Sequence, residues 1–293
     1  MSDRMEGEDR DVWRGEAGEE RVDSREDCFI KRAVPGFLDG NSLDQNFVEK
    51  YPETQGCGSL SKDLIVDGWV KVSLIDFPGS ICSTLFFSGC NLRCRYCHNP
   101  QMALGQGPFE EVKWDTVEEF LKDGKGILDG VCFSGGEPTL RPKLYSMAFG
   151  VKRLGFKVKV DTNGTMPENL FPLIRDGLLD YAAVDVKGPP RKYREICGVD
   201  VDESAVMETV ETLEGFGIPF ELRTTVHQYL LSRADMLEMA RWMQGERTLY
   251  IQPCRTTITL DPRLQGTLGP NKVWLEGVAE ACAPYFSKVI IRG

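Results

Sequence analysis

Histidine is nearly absent from this sequence: His98 and His227 are the only two in 293 residues. Acid–base chemistry by histidine therefore has few candidates. Basic residues are outnumbered, 35 against 45 acidic ones, and no basic stripe offsets the net charge, which would repel nucleic-acid phosphates. No stretch approaches the roughly 20 apolar residues of a membrane span, and the N-terminus lacks the apolar segment of a signal peptide. We therefore expect a cytoplasmic protein without a nucleic-acid or membrane partner.

Cysteine is more abundant, with ten residues, but only three of them are closely spaced. A disulfide scaffold is not expected in a chain of this length, and clustered thiols in a reducing compartment more often bind a metal or take part in catalysis. Cys82, Cys132 and Cys254 fall in predicted strands and are expected to be small core residues. The remaining isolated cysteines share no recognisable spacing and are Cys28, Cys57, Cys197 and Cys282.

Charge divides the chain into two parts. Residues 1–60 contain 8 basic and 15 acidic groups, whereas residues 61–293 contain 27 and 30. Before Asp27 there are few sizeable apolar side chains, too few to offset the entropy of ordering the backbone. We therefore expect residues 1–60 to be an acidic, partly disordered N-terminal extension and residues 61–293 to be the folded domain.

From residue 81 onward, short apolar runs alternate with helical patterns, which is typical of parallel β–α–β units. The predicted strands are 81–87, 130–133, 156–161, 181–186, 220–225 and 248–251, with 288–291 as a closing strand. The predicted helices lie near 114–123, 141–154, 167–176, 203–215, 233–244 and 271–283. Right-handed crossovers would place these strands in an open sheet or in an incomplete barrel. The pattern alone does not distinguish the two.

The segment FFSGCNLRCRYCHNP places Cys90, Cys94 and Cys97 in a C-x3-C-x2-C loop directly after the first predicted strand. Carboxyl ends of parallel strands are where α/β folds place their sites. A structural zinc ion would need a fourth ligand, and His98 is poorly spaced to complete the same tetrahedron. A 4Fe-4S cluster fits better. Such a cluster usually has four cysteine ligands, and with only three it would keep one iron free to bind a small molecule.

The same loop resembles the signature of the radical S-adenosylmethionine (radical SAM) enzymes, C-x3-C-x-aromatic-C, with Tyr96 as the aromatic residue. Three further motifs follow successive predicted strands: SGGEP at 134–138, DTNG at 161–164 and DVK at 185–187. Residues 61–293 are similar to the activating enzymes of glycyl-radical proteins. Within that group, GWVKVSLIDFPG followed by the cysteine loop is most similar to the activating proteins of anaerobic ribonucleoside-triphosphate reductase.

The resemblance implies an incomplete, TIM-like (β/α)6 barrel of the radical SAM type, in which Cys90, Cys94 and Cys97 hold the 4Fe-4S cluster. It implies that Glu137 takes the ammonium group of S-adenosylmethionine and that glycine lets the backbone approach the ligand. The full cofactor shell that it implies is Tyr96, Gly135, Gly136, Glu137, Asp161, Thr162, Asp185, Lys187 and Arg223. By similarity to pyruvate formate-lyase activating enzyme, the acidic residues would also help to bind a monovalent cation beside the cofactor carboxylate.

The implied activity is reductive cleavage of S-adenosylmethionine and removal of a hydrogen atom from a glycine of a glycyl-radical enzyme, such as anaerobic ribonucleotide reductase. A one-electron donor such as flavodoxin or ferredoxin would reduce the cluster. No insertion with two further four-cysteine clusters lies between Cys97 and Cys132, unlike in many relatives. Two alternatives stay open at this point: a radical enzyme acting on a small molecule such as a modified-base precursor, and a zinc-binding or redox adaptor.

Overall fold

The computed structural model of the protein describes residues 64–293. The acidic extension expected at residues 1–60 lies outside the described residues, as do Cys28 and Cys57. Within residues 64–293, no helix is both long enough and apolar enough to cross a bilayer.

An eight-stranded sheet forms the centre of the domain, in the order β10-β9-β8-β7-β6-β5-β3-β2. All neighbouring strands in it are parallel except the β2–β3 pair, which is antiparallel. The strands are β2 (Gly68–Ser73), β3 (Cys82–Phe87), β5 (Gly130–Gly135), β6 (Lys157–Thr162), β7 (Tyr181–Asp185), β8 (Phe220–Val226), β9 (Gly245–Pro253) and β10 (Phe286–Ile291). A separate two-stranded pair joins β1 (Ile65–Val66) to β4 (Val112–Lys113). The end strands β2 and β10 do not pair with each other, so the barrel is incomplete.

The helices connect successive strands. They are α1 (Pro100–Leu104), α2 (Trp114–Asp123), α3 (Leu144–Arg153), α4 (Pro167–Arg175), α5 (Tyr193–Cys197), α6 (Ser204–Gly215), α7 (Arg233–Trp242) and α8 (Lys272–Cys282). Local sequence determines several of their starts. Helix α7 begins with a capping box between Ser232 and Asp235, and the side chain of Asn271 accepts a hydrogen bond from the first turn of α8. These bonds satisfy backbone N–H groups that a helix leaves free.

The two faces of the sheet differ in chemistry because successive strand residues point to opposite sides. One face is apolar and packs with the helices in a single buried core, to which the strands contribute Leu85, Phe87, Val131, Phe133, Val158, Val160, Ala182, Val184, Leu222, Val226, Leu249 and Ile251. The opposite, inner face is largely polar and includes Thr84, Cys132, Lys159, Asp161, Tyr181, Asp185, Glu221, Arg223 and Tyr250. The larger hydrophobic core therefore lies between the sheet and the helices. A second, smaller cluster of Phe77, Cys82 and Cys132, with Tyr181 packed against it, is separate from that core.

The six predicted strands, the closing strand and the six predicted helices are all confirmed, with boundaries within a few residues. Of the two predicted arrangements, an open sheet and an incomplete barrel, the structure shows the incomplete barrel. Several elements were not predicted: the antiparallel strand β2, the β1–β4 pair and the short helices α1 and α5. One detail was wrong, because Cys254 follows β9 rather than lying within a strand.

Candidate cluster and cofactor site

The cysteine loop follows β3 at the carboxyl edge of the sheet. The N–H of Leu92 donates to the sulfur of Cys90 at 3.4 Å. Hydrogen bonds to the ligating sulfurs are among the features that tune protein iron–sulfur clusters. The donor set of the loop therefore fits a 4Fe-4S cluster held by three thiolates.

Helix α5 holds this loop from one side. The N–H of Arg93 donates to the carbonyl oxygen of Cys197 at 2.7 Å, and the N–H of Arg95 donates to the carbonyl oxygen of Ile196 at 2.9 Å. Gly198 ends the helix at a φ of 67°, and a side chain there would come within 2.9 Å of the carbonyl oxygen of Arg93. Glycine is needed at this position for both reasons.

The segment that follows β9 holds the loop from the other side. The N–H of Leu260 donates to the carbonyl oxygen of Cys97 at 3.0 Å, and the N–H of Asp261 donates to that of Arg95 at 2.9 Å. The Asp261 carboxylate also pairs with the Arg95 side chain at 2.8 Å. Backbone and ionic contacts together therefore fix the loop between two segments that are distant in the chain.

The thiols of the site do not share one electrostatic environment. Burial raises the pKa of Cys90, to about 11, and of Cys97. The pKa of Cys94 is lowered instead, because the thiol of Cys197 donates a hydrogen bond to its sulfur, and the nearby Lys187 adds to this effect. Cys197 was expected to be an isolated cysteine, yet it is a direct neighbour of a candidate ligand.

The glycines of the SGGEP turn allow the turn to pack against the end of β3. A side chain at Gly135, where φ is 117°, would lie 2.4 Å from the carbonyl oxygen of Phe87. A side chain at Gly136 would lie 2.0 Å from the carbonyl oxygen of Gly89. We expected these glycines to let the backbone approach a ligand. The structure shows an additional requirement for glycine at both positions, which is contact with the chain's own backbone.

Glu137 is almost completely enclosed, with 1% of its surface exposed. Its Oε1 accepts hydrogen bonds from the Thr139 hydroxyl at 2.7 Å and the Thr162 hydroxyl at 2.8 Å, and its Oε2 accepts one from the Asn163 N–H at 2.7 Å. Burial raises its pKa even though these donors favour the carboxylate. No Lys or Arg among residues 64–293 forms an ion pair with it. Its negative charge is thus held by neutral donors only.

A group of charged side chains lies on the inner face beyond this turn. Arg223 donates to Asp185 at 2.8 Å and pairs with Asp161 at 3.3 Å, while Lys187 pairs with Asp185 at 3.1 Å. Burial alone would raise the pKa of Asp185, but the charges of Arg223 and Lys187 lower it well below its usual range. The structure brings together four of the five charged residues that the resemblance implied, and the fifth is Glu137.

Lys159 also belongs to this group and was not predicted. It lies on β6 two residues before Asp161, so both side chains point to the inner face. Only 1% of its surface is exposed, and its ammonium group forms an ion pair with Asp161. The three cationic side chains therefore outnumber the two carboxylates.

Tyr96 and Asn163 complete the site. Tyr96 is buried, and its hydroxyl has no hydrogen-bond partner among the described residues. Asn163, a residue of the DTNG motif that we did not single out, donates to the side-chain oxygen of Asn91 at 2.8 Å and contacts the sulfur of Cys90 at 3.9 Å. A buried hydroxyl without a hydrogen-bond partner fits a site that receives a polar ligand.

The two histidines play no evident part in this arrangement. His98 is exposed. His227 is buried, its Nε2 lies 3.0 Å from the Thr267 hydroxyl, and its Nδ1 accepts a hydrogen bond from the N–H of Tyr229 at 3.3 Å. Both ring nitrogens of His227 are therefore engaged in local packing.

Several known proteins are similar in sequence to this chain. A protein of Methanocaldococcus jannaschii, named as a proposed glycyl-radical enzyme activating enzyme, is 32% identical over 234 residues, which are 78% of this chain and 95% of that protein. The pyruvate formate-lyase-activating enzyme of Clostridium pasteurianum is 35% identical over 189 residues, or 61% of this chain and 76% of that enzyme.

Among solved structures, Streptococcus suis SuiB bound to its precursor peptide SuiA superposes with a TM-score of 0.56 at 13% identity. The match covers 71% of this chain and 48% of SuiB, so this chain spans about half the length of that protein. A likeness at this identity reports on the fold alone.

The family model of the radical SAM superfamily matches residues 84–243, more than half of the chain. That range runs from β3, which precedes the cysteine loop, through β8, which bears Arg223. Members of this superfamily use a 4Fe-4S cluster and S-adenosylmethionine. The chain belongs to the radical SAM superfamily.

Proposed function

We propose that this enzyme activates a glycyl-radical enzyme, and that its partner is anaerobic ribonucleotide reductase. The observation that carries the proposal is the similarity to the M. jannaschii protein over 95% of that protein's length. The C. pasteurianum enzyme, whose name places it in the same functional class, supports it. The family match overturns the zinc-binding or redox adaptor that the cysteine spacing left open.

In this proposal Cys90, Cys94 and Cys97 hold the cluster. When bound, the cluster and S-adenosylmethionine supply a one-electron cleavage that yields a 5′-deoxyadenosyl radical. Glu137 accepts the ammonium group of the cofactor, because its carboxylate has no cationic partner among the described residues. The ionic group that contains Arg223 and Lys187 attracts the cofactor carboxylate, because it carries excess positive charge.

The remaining residues of the shell position these groups. Gly135 and Gly136 bring the turn against β3, and Thr162 orients Glu137 through its hydroxyl. The buried Tyr96 excludes water from the site and offers a hydroxyl for a ligand atom. None of these residues needs to move a proton. This agrees with the positions of His98 and His227, neither of which belongs to the group of site residues described above.

The test is anaerobic incubation of the reconstituted enzyme with S-adenosylmethionine, a chemical reductant and an anaerobic ribonucleotide reductase, followed by electron paramagnetic resonance. A glycyl doublet on the reductase is the expected result. A reductase whose radical-bearing glycine is replaced by alanine is the matched control and should give no doublet.

The outcome that contradicts the proposal is reductive cleavage of the cofactor without any glycyl signal on the reductase. This result would favour the second candidate, a radical enzyme that acts on a small molecule such as a modified-base precursor. Flavodoxin or ferredoxin in place of the chemical reductant would then identify the class of electron donor that the enzyme accepts.

A further inference from the structure

The ammonium group of Lys159 is enclosed by the inner face of the barrel. Lys159 lies opposite Cys132 on β5 and Tyr181 on β7, and 1% of its surface is exposed. Its Nζ pairs with Oδ1 of Asp161 and lies 3.8 Å from the sulfur of Cys132. Burying an unpaired ammonium group costs a large amount of free energy. The ion pair with Asp161 offsets this cost for Lys159.

Every carboxylate oxygen of Asp161 and Asp185 already contacts a fixed cation. Oδ1 of Asp161 contacts Lys159, and its Oδ2 contacts Arg223. Oδ1 of Asp185 contacts Arg223 at 2.8 Å, and its Oδ2 contacts Lys187 at 3.1 Å. The two carboxylates are thus surrounded by three side-chain cations, all belonging to the protein.

These contacts do not fit the monovalent cation that the resemblance implied. A bound sodium or potassium ion would add a further positive charge to a group that already has an excess of one. The hydroxyl of Thr162 is also occupied, because it donates to Glu137 at 2.8 Å and accepts from the N–H of Gly164 at 3.0 Å. The oxygen atoms that would hold the ion are engaged by other partners.

We propose that the Lys159 ammonium group takes the place of a bound monovalent cation, so that cofactor binding in this enzyme requires neither sodium nor potassium. Lys159 acts as a positioning residue: by neutralising Asp161, it leaves Arg223 with an unbalanced charge that attracts an anionic group. The proposal rests on the assignment of this group to the carboxylate of S-adenosylmethionine.

The test compares the affinity of the reconstituted enzyme for S-adenosylmethionine, measured by isothermal titration calorimetry, in buffers of tetramethylammonium and of potassium. The wild-type enzyme should bind equally well in both. Lys159→Met should bind about tenfold more weakly in tetramethylammonium, as expected for the loss of a charged interaction, and should regain affinity when potassium or ammonium ions are added. Rescue by a small cation would not follow from a purely structural role.

Lys157→Met is the matched control, because Lys157 lies on the same strand but is exposed. It should bind the cofactor like the wild type in both buffers. A second readout needs no cofactor: the thermal unfolding temperature of the cluster-free Lys159→Met protein should rise on exchange of tetramethylammonium for potassium, more than that of Lys157→Met.

Two results would overturn the proposal: a potassium requirement in the wild-type enzyme, or unchanged affinity of Lys159→Met in tetramethylammonium. Neither measurement includes a partner protein. Failure to generate a glycyl radical would therefore count against the proposed partner and leave these results intact.

Discussion

The backbone N–H of Arg93 donates to the carbonyl oxygen of Cys197 across 2.7 Å, and the two residues bring helix α5 against the cysteine loop. The contact leaves no room for a side chain on Gly198, the residue that ends the helix. The shape of the loop therefore depends on a short helix that provides none of the three candidate ligands.

We expect Gly198→Ala to lose iron and to unfold more easily. Its left-handed backbone should cost about 1–2 kcal/mol with any side chain, and the new methyl group would displace Arg93. Gly217→Ala is the control, because Gly217 has a φ of 65° with nothing within 4 Å of an added side chain. Both variants should show the loss of stability in urea unfolding. Equal iron content in the two would show that α5 does not shape the loop.

Cys90→Ala, Cys94→Ala and Cys97→Ala should each prevent assembly of the cluster, because each removes one of three thiolates. Iron and sulfide analysis after anaerobic reconstitution measures this directly. Cys132→Ala is the control: it removes a buried thiol outside the loop and should keep the cluster while losing about 1 kcal/mol of packing energy. Full iron content in any of the first three variants would mean that the ligands are misassigned.

Glu137→Gln should keep its cluster but bind S-adenosylmethionine about tenfold more weakly, because the ammonium group loses a charged acceptor. Asp185→Asn and Lys187→Met should show the same defect to a smaller degree. Isothermal titration of the reconstituted variants gives the affinities. If Glu137→Gln binds normally, the role of Glu137 is limited to joining the SGGEP turn to Thr162 and Asn163.

The affinity for S-adenosylmethionine should also depend on pH through Glu137. Burial raises the pKa of this residue, so its carboxylate becomes protonated at a higher pH than an ordinary glutamate as the solution is acidified. Binding should therefore weaken on acidification before Asp161 and Asp185 titrate, since the pKa values of both are lowered. Calorimetric titrations at a series of pH values test this, with Glu137→Gln as a control that should lack the transition. A wild-type profile identical to that of the variant would contradict it.

The ion pairs of Asp185 should persist at acidic pH. Because its folded pKa is lowered, its contribution to the free energy of unfolding is fully present above its unfolded pKa of about 3.9 and is lost only as the pH falls through the folded value. The difference in unfolding free energy between the wild type and Asp185→Asn, measured by urea unfolding, should stay constant from about pH 7 to about pH 5. A difference that shrinks within this window would contradict the assigned pairing.

Residues 1–60 should be dispensable for the chemistry, because their excess of acidic groups and lack of family motifs mark them as an appended segment. A chain that begins at Ser61 should fold, bind its cluster and cleave S-adenosylmethionine at a rate close to that of the full chain. Loss of cleavage with an intact cluster would mean that the extension completes the site. Loss of partner activation alone would identify it as a docking element.

The sequence predicted well those features that depend on local pattern. Apolar runs such as Tyr181–Val186 could be recognised as strands because they are buried whichever strand they pair with. The spacing of the cysteines could be recognised without knowledge of the fold. Cys197 and Asp261 were missed because their contacts with the loop depend on tertiary packing, which leaves no mark in sequence spacing. Lys159 did carry a signal: it alternates with Asp161 in KVKVDTNG and therefore shares its face of the strand.

The division of the sheet into an apolar helix-covered face and a polar inner face has a consequence for how such a protein can change over evolutionary time. Tyr250, on the inner face, does not belong to the hydrophobic core beneath the helices, so a substitution there changes the lining of the barrel more than it changes that core. Descendants of one scaffold can in this way acquire new substrates while keeping the same cluster and cofactor.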